Sequence, residues 1–281
     1  MMHVSLMLSA IALAILLRFI LAQRCMNNWL ATLAIFAVPP LLLITTTLAI
    51  VIMGPHGHAV THVEGWLSYC MSWSYLLIIF GLLARLGWHA RCSMQYIEQF
   101  PQITVQGSQG RLLDDDAVFS AQMGMWSSQL VISQGLIDAL DPDHLAAVLA
   151  HEKAHAHYRD TFWFFWLGWL QRINFWLPYG DSLWQELLLL REIRADRWAT
   201  QSVERLTLAE SLVQVIASPL STVTAVNFSC TAPTSRLNRR IDALLDIPAE
   251  ASESRFTLQW SVVVCCTIFS LMPLVSIPFH Y

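Results

Sequence analysis

Charge is scarce in this chain: only 13% of its 281 residues are Asp, Glu, Lys or Arg, about half the share usual in a soluble domain. The length suffices for one soluble domain plus several membrane spans, and the shortage of charge favours that division over a single soluble fold. No block of Lys and Arg is present to track a phosphate backbone, and the net charge is only −4, so no nucleic-acid partner is expected. The six cysteines, Cys25, Cys70, Cys92, Cys230, Cys265 and Cys266, form no CxxC pair. Neither a thiolate zinc site nor a disulfide scaffold is therefore expected, and most of them should be small buried apolar side chains. The N-terminus lacks the basic region and small-residue cleavage site of a secretory signal, so its apolar run reads as a retained span. Repeats and low-complexity segments are also missing, and the acidic run at 114–116 reads as a solvated turn.

Apolar surface is abundant: 56% of residues are hydrophobic, twelve are tryptophan, and the mean hydropathy is +0.50. Residues 4–22, 29–53, 66–88 and 256–277 are each long and apolar enough to cross a bilayer core of about 30 Å, which takes roughly 20 helical residues. Pro39-Pro40 removes two backbone donors from the second span and should kink it. Arg18, Arg24, Arg85, Arg91 and Arg255 gather at one set of span ends, and the loop 54–65 carries no Lys or Arg. By the positive-inside rule the large region 91–255 should face the cytoplasm of a multi-pass protein of a bacterial inner or plasma membrane. The expected organisation is transmembrane helices over 1–90, a catalytic domain over 91–255 and a last transmembrane helix over 256–281.

Within the middle region, 102–105, 117–122 and 129–133 read as short strands, with Gly124 in a turn. A helix then starts cleanly at Asp141-Pro142-Asp143, where an Asp cap and a first-turn proline suit the positive helix end, and should run over 142–158. It carries His151-Glu152-Lys153-Ala154-His155. Residues four apart share a helical face, so both imidazoles can reach one ion while the glutamate points beside it. A later helical segment carries Glu192 and Asp196, again four apart. Two His and one Glu, with a fourth position left for water, is the ligand set of a catalytic zinc site, one ion per chain. Glu152 is then the general base, and Asp196 can accept the second ring N–H of a ligating histidine. The competing reading makes Glu192 a solvent-facing carboxylate paired with Arg191 or Arg194. His157, off the ligand face, and His144, two turns upstream, read as solvated helix histidines.

Between the two ligand segments lies 161–177, rich in Trp and Phe. A single crossing there would leave Glu192 on the wrong side, so 161–190 is expected to form an interfacial or re-entrant hairpin bending at Pro178-Tyr179-Gly180. The loop residues His56, His58, His62 and Glu64 offer a competing transition-metal site, although a flexible external loop explains them as well.

Taken together, the run 130–137, the run 145–155 with its His-Glu-x-x-His motif, Arg159-Asp160, Glu192-x-x-x-Asp196 and the arginine-containing segment 236–245 resemble the membrane gluzincin peptidases. These include the BlaR-type antirepressor peptidases and the HtpX/CAAX-protease-like family. The resemblance covers roughly residues 103–245. It implies a mostly α integral-membrane protein with about four transmembrane helices, an interfacial helical hairpin, and a small α+β zincin-like catalytic domain containing a short β-sheet. It also implies His151, His155 and Glu192 as zinc ligands, Glu152 as base and Asp196 behind the ligands. A free edge strand, here Ala117, Val118, Phe119, Ser120, Ala121 and Gln122, would pair with an extended substrate backbone. The short loops look closer to the BlaR-type core than to prenyl-protein proteases. Nothing after the last span corresponds to a penicillin-sensing domain, so antibiotic sensing is not expected. The function expected is a zinc endopeptidase at the cytoplasmic membrane face, cutting a membrane-associated protein or a cytoplasmic regulator in regulated cleavage or quality control. The alternatives are a non-proteolytic scaffold or signalling subunit, and a transporter using the external histidines.

Overall fold

A computed structural model describes residues 2–22, 28–56, 62–217, 234–245 and 268–279. The chain divides into two compact units. One comprises residues 1–86, 167–190 and 250–281, the other residues 87–166 and 191–249.

The first unit is helical. α1 (Met2–Leu21), α2 (Trp29–Met53) and α3 (His62–Ile97) are each long and apolar enough to cross a membrane. Small residues let α1 and α2 approach closely: Ala10 and Ala14 pack on Leu42 and Leu43. Pro40 cannot donate to the carbonyl four residues back, which is that of Phe36. The guanidinium of Arg18, buried at 2% exposure, fills the gap by donating from Nη2 to the Phe36 carbonyl at 2.9 Å. Thr46 and Thr47 turn their hydroxyls back onto the carbonyls of Leu42 and Leu43 at 2.7 and 3.1 Å, so these buried hydroxyls are satisfied within their own helix.

α3 continues well past the expected end at residue 88, because no proline interrupts it before Pro101. Cys70 and Cys92 both lie exposed on it, contrary to the expected burial, since α3 turns those positions away from its neighbours. The other four cysteines lie outside the described residues, as do positions 256–267 of the fourth expected span and His58. From residue 268 the chain forms a short helix, Met272–Val275, and a 3-10 turn, Ile277–Phe279.

The remainder of this unit is a helical reversal. α6 (Asp160–Ile173) has 14 residues and spans about 21 Å, short of a bilayer core. The chain bends through Tyr179, which has a φ of 57°, and returns as α7 (Gly180–Ala199). Leu177 at the bend packs with Ala10, Ala14, Leu42 and Leu43, and the Trp169 indole donates to the Ile79 carbonyl at 2.9 Å.

The second unit holds a four-stranded sheet in the order β1-β2-β4-β3. β1 (Gln102–Val105) and β2 (Ser108–Leu113) form a hairpin around Gln106 and Gly107, both at positive φ, as a tight two-residue turn requires. β2 runs parallel to β4 (Gln129–Ser133), and β3 (Ser120–Met123) is antiparallel to β4, leaving β3 as an edge. Two corrections to the sequence reading follow. β2 was not expected, and the edge strand begins at Ser120. Ala117, Val118 and Phe119 precede the strand because the Asp115 carboxylate accepts from Ala117 N and holds a turn there.

After β4, α4 (Gln134–Ala139) is capped by Ser133, and Gly135 is obligatory because a Cβ would lie 2.0 Å from the Asp116 carbonyl oxygen. α5 (Pro142–His157) is capped by Asp141, whose carboxylate accepts from Asp143 N and His144 N. Two of its faces are buried. Leu145, Val148 and Leu149 pack on Leu130 and Ile132 of the sheet, while Ala147 and Ala150 pack against α8 (Arg205–Ala217) and α9 (Thr234–Leu245) through Leu208, Leu212 and Leu244. That double burial fixes the rotation of α5 and hence the direction of its polar residues.

Candidate metal centre

The end of α5 presents His151 and His155 with their Nε2 atoms 3.1 Å apart. From α7, Glu192 places Oε2 at 3.3 Å from the His151 Nε2 and Oε1 at 3.8 Å from the His155 Nε2. One ligand atom from each of these three residues lies within 4.8 Å of the others. Each imidazole is held from behind by a carboxylate: the His151 Nδ1 is 2.8 Å from Asp196 Oδ1, and the His155 Nδ1 is 2.8 Å from Asp160 Oδ2. The His155 Nδ1 is hydrogen-bonded to Asp160, the His151 Nδ1 faces Asp196 as an ion pair, and the two Nε2 atoms face one another and Glu192. A cation between them satisfies that arrangement.

The electrostatics agree. Burial works against protonation of His151, yet the Asp196 and Glu192 carboxylates overcome it and raise the group from 6.5 to about 9. Burial likewise opposes ionisation of Glu192, but Arg191, the two imidazoles and Arg240 hold its carboxyl well below the usual range. Ligands about 2.0–2.1 Å from a tetrahedral zinc ion stand roughly 3.3 Å apart. The three donors already sit near that spacing, and the set of two nitrogens and one carboxylate oxygen fits zinc.

Glu152 is 6% exposed. Its Oε1 accepts from the Ser120 hydroxyl of β3 at 3.0 Å, while Oε2 is buried with no hydrogen-bond partner among the described residues. One carboxylate oxygen is thus oriented and the other left open, which suits a group that takes up a proton.

Several supports were not singled out from sequence. Asp160 reaches His155 because Arg159 adopts a φ of 53° and turns the chain sharply from α5 into α6; Arg194 pairs with the other oxygen of Asp160. Arg240 of α9 binds Asp196 through Nε and Nη2, both at 2.8 Å, and its Nη1 lies 3.5 Å from Glu192 Oε2. The adjacency Arg159-Asp160 and the arginine-rich segment 236–245 were visible, but their targets were not. Arg191 does pair with Glu192, at 2.7 Å, without drawing that carboxylate away from the imidazoles. His144 lies between Asp141 and Glu210, at 2.6 and 3.3 Å, and His157 stacks on Trp198 with ring centroids 5.5 Å apart. Neither joins the cluster.

Residues 104–186 match the model of Peptidase family M48. That family consists of metallopeptidases. The matched stretch carries the sheet from Thr104 onward together with His151, Glu152, His155 and Asp160, and ends before Glu192. No curated protein and no solved structure matches the chain.

Proposed function

We propose that this protein is a multi-pass membrane zinc endopeptidase with its site at the cytoplasmic face, nearer in kind to the BlaR-type peptidases than to the prenyl-protein proteases. The observation that carries the reading is the convergence of His151, His155 and Glu192 from two helices, with the half-satisfied carboxylate of Glu152 beside them. The match to a metallopeptidase family supports it, and three helices long enough to cross a membrane support the location.

His151, His155 and Glu192 would hold one zinc ion per chain. When bound it supplies Lewis acidity and brings the pKa of a water at the site toward about 7. Glu152 accepts the proton of the attacking water on the oxygen that Ser120 leaves free, then delivers it to the leaving amine. Asp196 and Asp160 keep both imidazoles in the ligating orientation, and Arg240 restrains Asp196. β3 offers an unpaired edge beside Glu152, so a substrate backbone can add to it as a further strand. Ser120, Ala121 and Gln122 are the positions for that pairing. The helices that bear Asp160, Glu192 and Asp196 run on into the unit with the candidate spans, which favours membrane-associated proteins as substrates.

The test uses purified full-length protein in detergent or lipid. Wild type should hold one zinc per chain and cut a denatured protein substrate. His151→Ala should lose the metal, whereas Glu152→Gln should keep it while cleavage falls by about 10²–10⁴-fold. Cleavage by Glu152→Gln at the wild-type rate ends this reading.

A further inference from the structure

A cavity of about 680 Å³ opens along the second unit, lined mainly by β1 and β2 and bordered by Gln129 of β4, Gln122 of β3, and Lys153 and Ala156 of α5. Its lining includes two cations and no Asp or Glu. Arg111 is committed: its guanidinium bonds Gln129 Oε1 and the carbonyls of Glu98 and Phe100 at 2.8–3.1 Å. Lys153 is exposed on the outer side of α5, next in sequence to the proposed base.

Strand register connects this cavity to the proposed chemistry. Ser120 pairs with Ile132 and Gln122 with Leu130 across β3 and β4, and Leu130 and Ile132 both face α5. Ser120 and Gln122 therefore point to that same face, Ser120 onto Glu152 and Gln122 into the cavity. A peptide added along β3 would set one side chain opposite Ser120, at the proposed base. Its neighbour on the same face would lie two residues away, about 6.7 Å along the strand, opposite Gln122, which lines the same cavity as Lys153.

Resting on the peptidase reading above, we propose that this cavity selects substrates carrying an Asp or Glu two residues from the scissile bond, with Lys153 as the residue that recognises the carboxylate. A lone exposed cation facing amide side chains attracts an anion with little desolvation, so the discrimination is modest and sensitive to salt.

The experiment compares quenched-fluorescence peptides that differ only in Glu, Gln or Lys at successive positions, cleaved by the full-length zinc-loaded protein. At one position two residues from the cut, kcat/KM should favour Glu over Lys by about threefold to tenfold. The effect should appear mainly in KM, and 1 M salt should flatten it. Lys153→Ala should erase the preference and Lys153→Glu reverse it. Binding of labelled Glu and Lys peptides to Glu152→Gln protein gives a readout free of catalysis. Selective binding of the Glu peptide without any wild-type cleavage would keep carboxylate recognition by Lys153 and remove the peptidase reading with its scissile-bond register. A preference that is absent, or untouched by Lys153→Glu, overturns the proposal and leaves the peptidase reading standing.

Discussion

In the helical unit, Pro40 strips the Phe36 carbonyl of its helical donor, and Arg18 closes the gap from the neighbouring helix. In the second unit the buried polar groups are arranged the other way round. Asp196 and Asp160 lie 2.8 Å from the outer nitrogens of two imidazoles, and the inner nitrogens and Glu192 are left converging on a common point. The first arrangement ends a guanidinium on a backbone acceptor, with its Nε buried and without a hydrogen-bond partner among the described residues. The second brings three ligand atoms within 4.8 Å of one another, and that convergence, rather than an unmet bond by itself, distinguishes a functional cluster from structural polar burial.

The contrast breaks most visibly if the carboxylates behind the imidazoles are dispensable. Asp196→Asn keeps the shape but removes the charge that orients His151 and binds Arg240. Zinc affinity, read by competition with a chelator, should fall by about 10–100-fold. Unchanged affinity would mean that the two units treat their buried polar groups alike.

A smaller effect is expected at Arg18. Replacing it with Met leaves the Phe36 carbonyl without its side-chain donor, while Pro40→Ala restores a backbone N–H to that same carbonyl. The cost of Arg18→Met in a detergent unfolding assay should therefore be lower by about 1 kcal/mol in the Pro40→Ala background. Equal costs in both backgrounds would show that Arg18 serves some other purpose.

How far the sequence reached follows the same division between local and distant causes. α5 could be read because its cap, its proline and its His-Glu-x-x-His spacing all act within one helix. Glu192 could be read because a carboxylate four residues before another is a pattern in itself. Asp160 was hidden by a left-handed residue, Arg159, which composition does not announce. Arg240 was hidden because its partner Asp196 is 44 residues away, and only the packing of α9 on α5 and α8 brings them together. β2 escaped notice because Ser108–Leu113 lacks a clear apolar alternation. Its identity as a strand comes from its parallel pairing with β4, where Gly110 admits the Leu130 carbonyl at a distance that a side chain would block.

The mildest test concerns polar contacts in the second unit that lie outside the metal cluster. His144 is held above its ordinary 6.5 by the Asp141 carboxylate, which outweighs the opposing burial, with help from Glu210. A histidine whose folded pKa is raised adds stability that is fully present below the unfolded value, and that stability is lost as pH climbs through the folded one. Asp141 is lowered by its bonds to the His144 backbone and ring. Its share is present above the unfolded carboxylate value and is lost in acid. The contact should therefore help most between the carboxylate range and about pH 6.5, fading on both sides. His144→Gln leaves the backbone cap at Asp141 intact, so the melting-temperature difference between wild type and variant isolates the charged contact. That difference should be small, positive near pH 6 and close to zero by pH 9. A difference that does not change with pH would show that His144 contributes by packing alone.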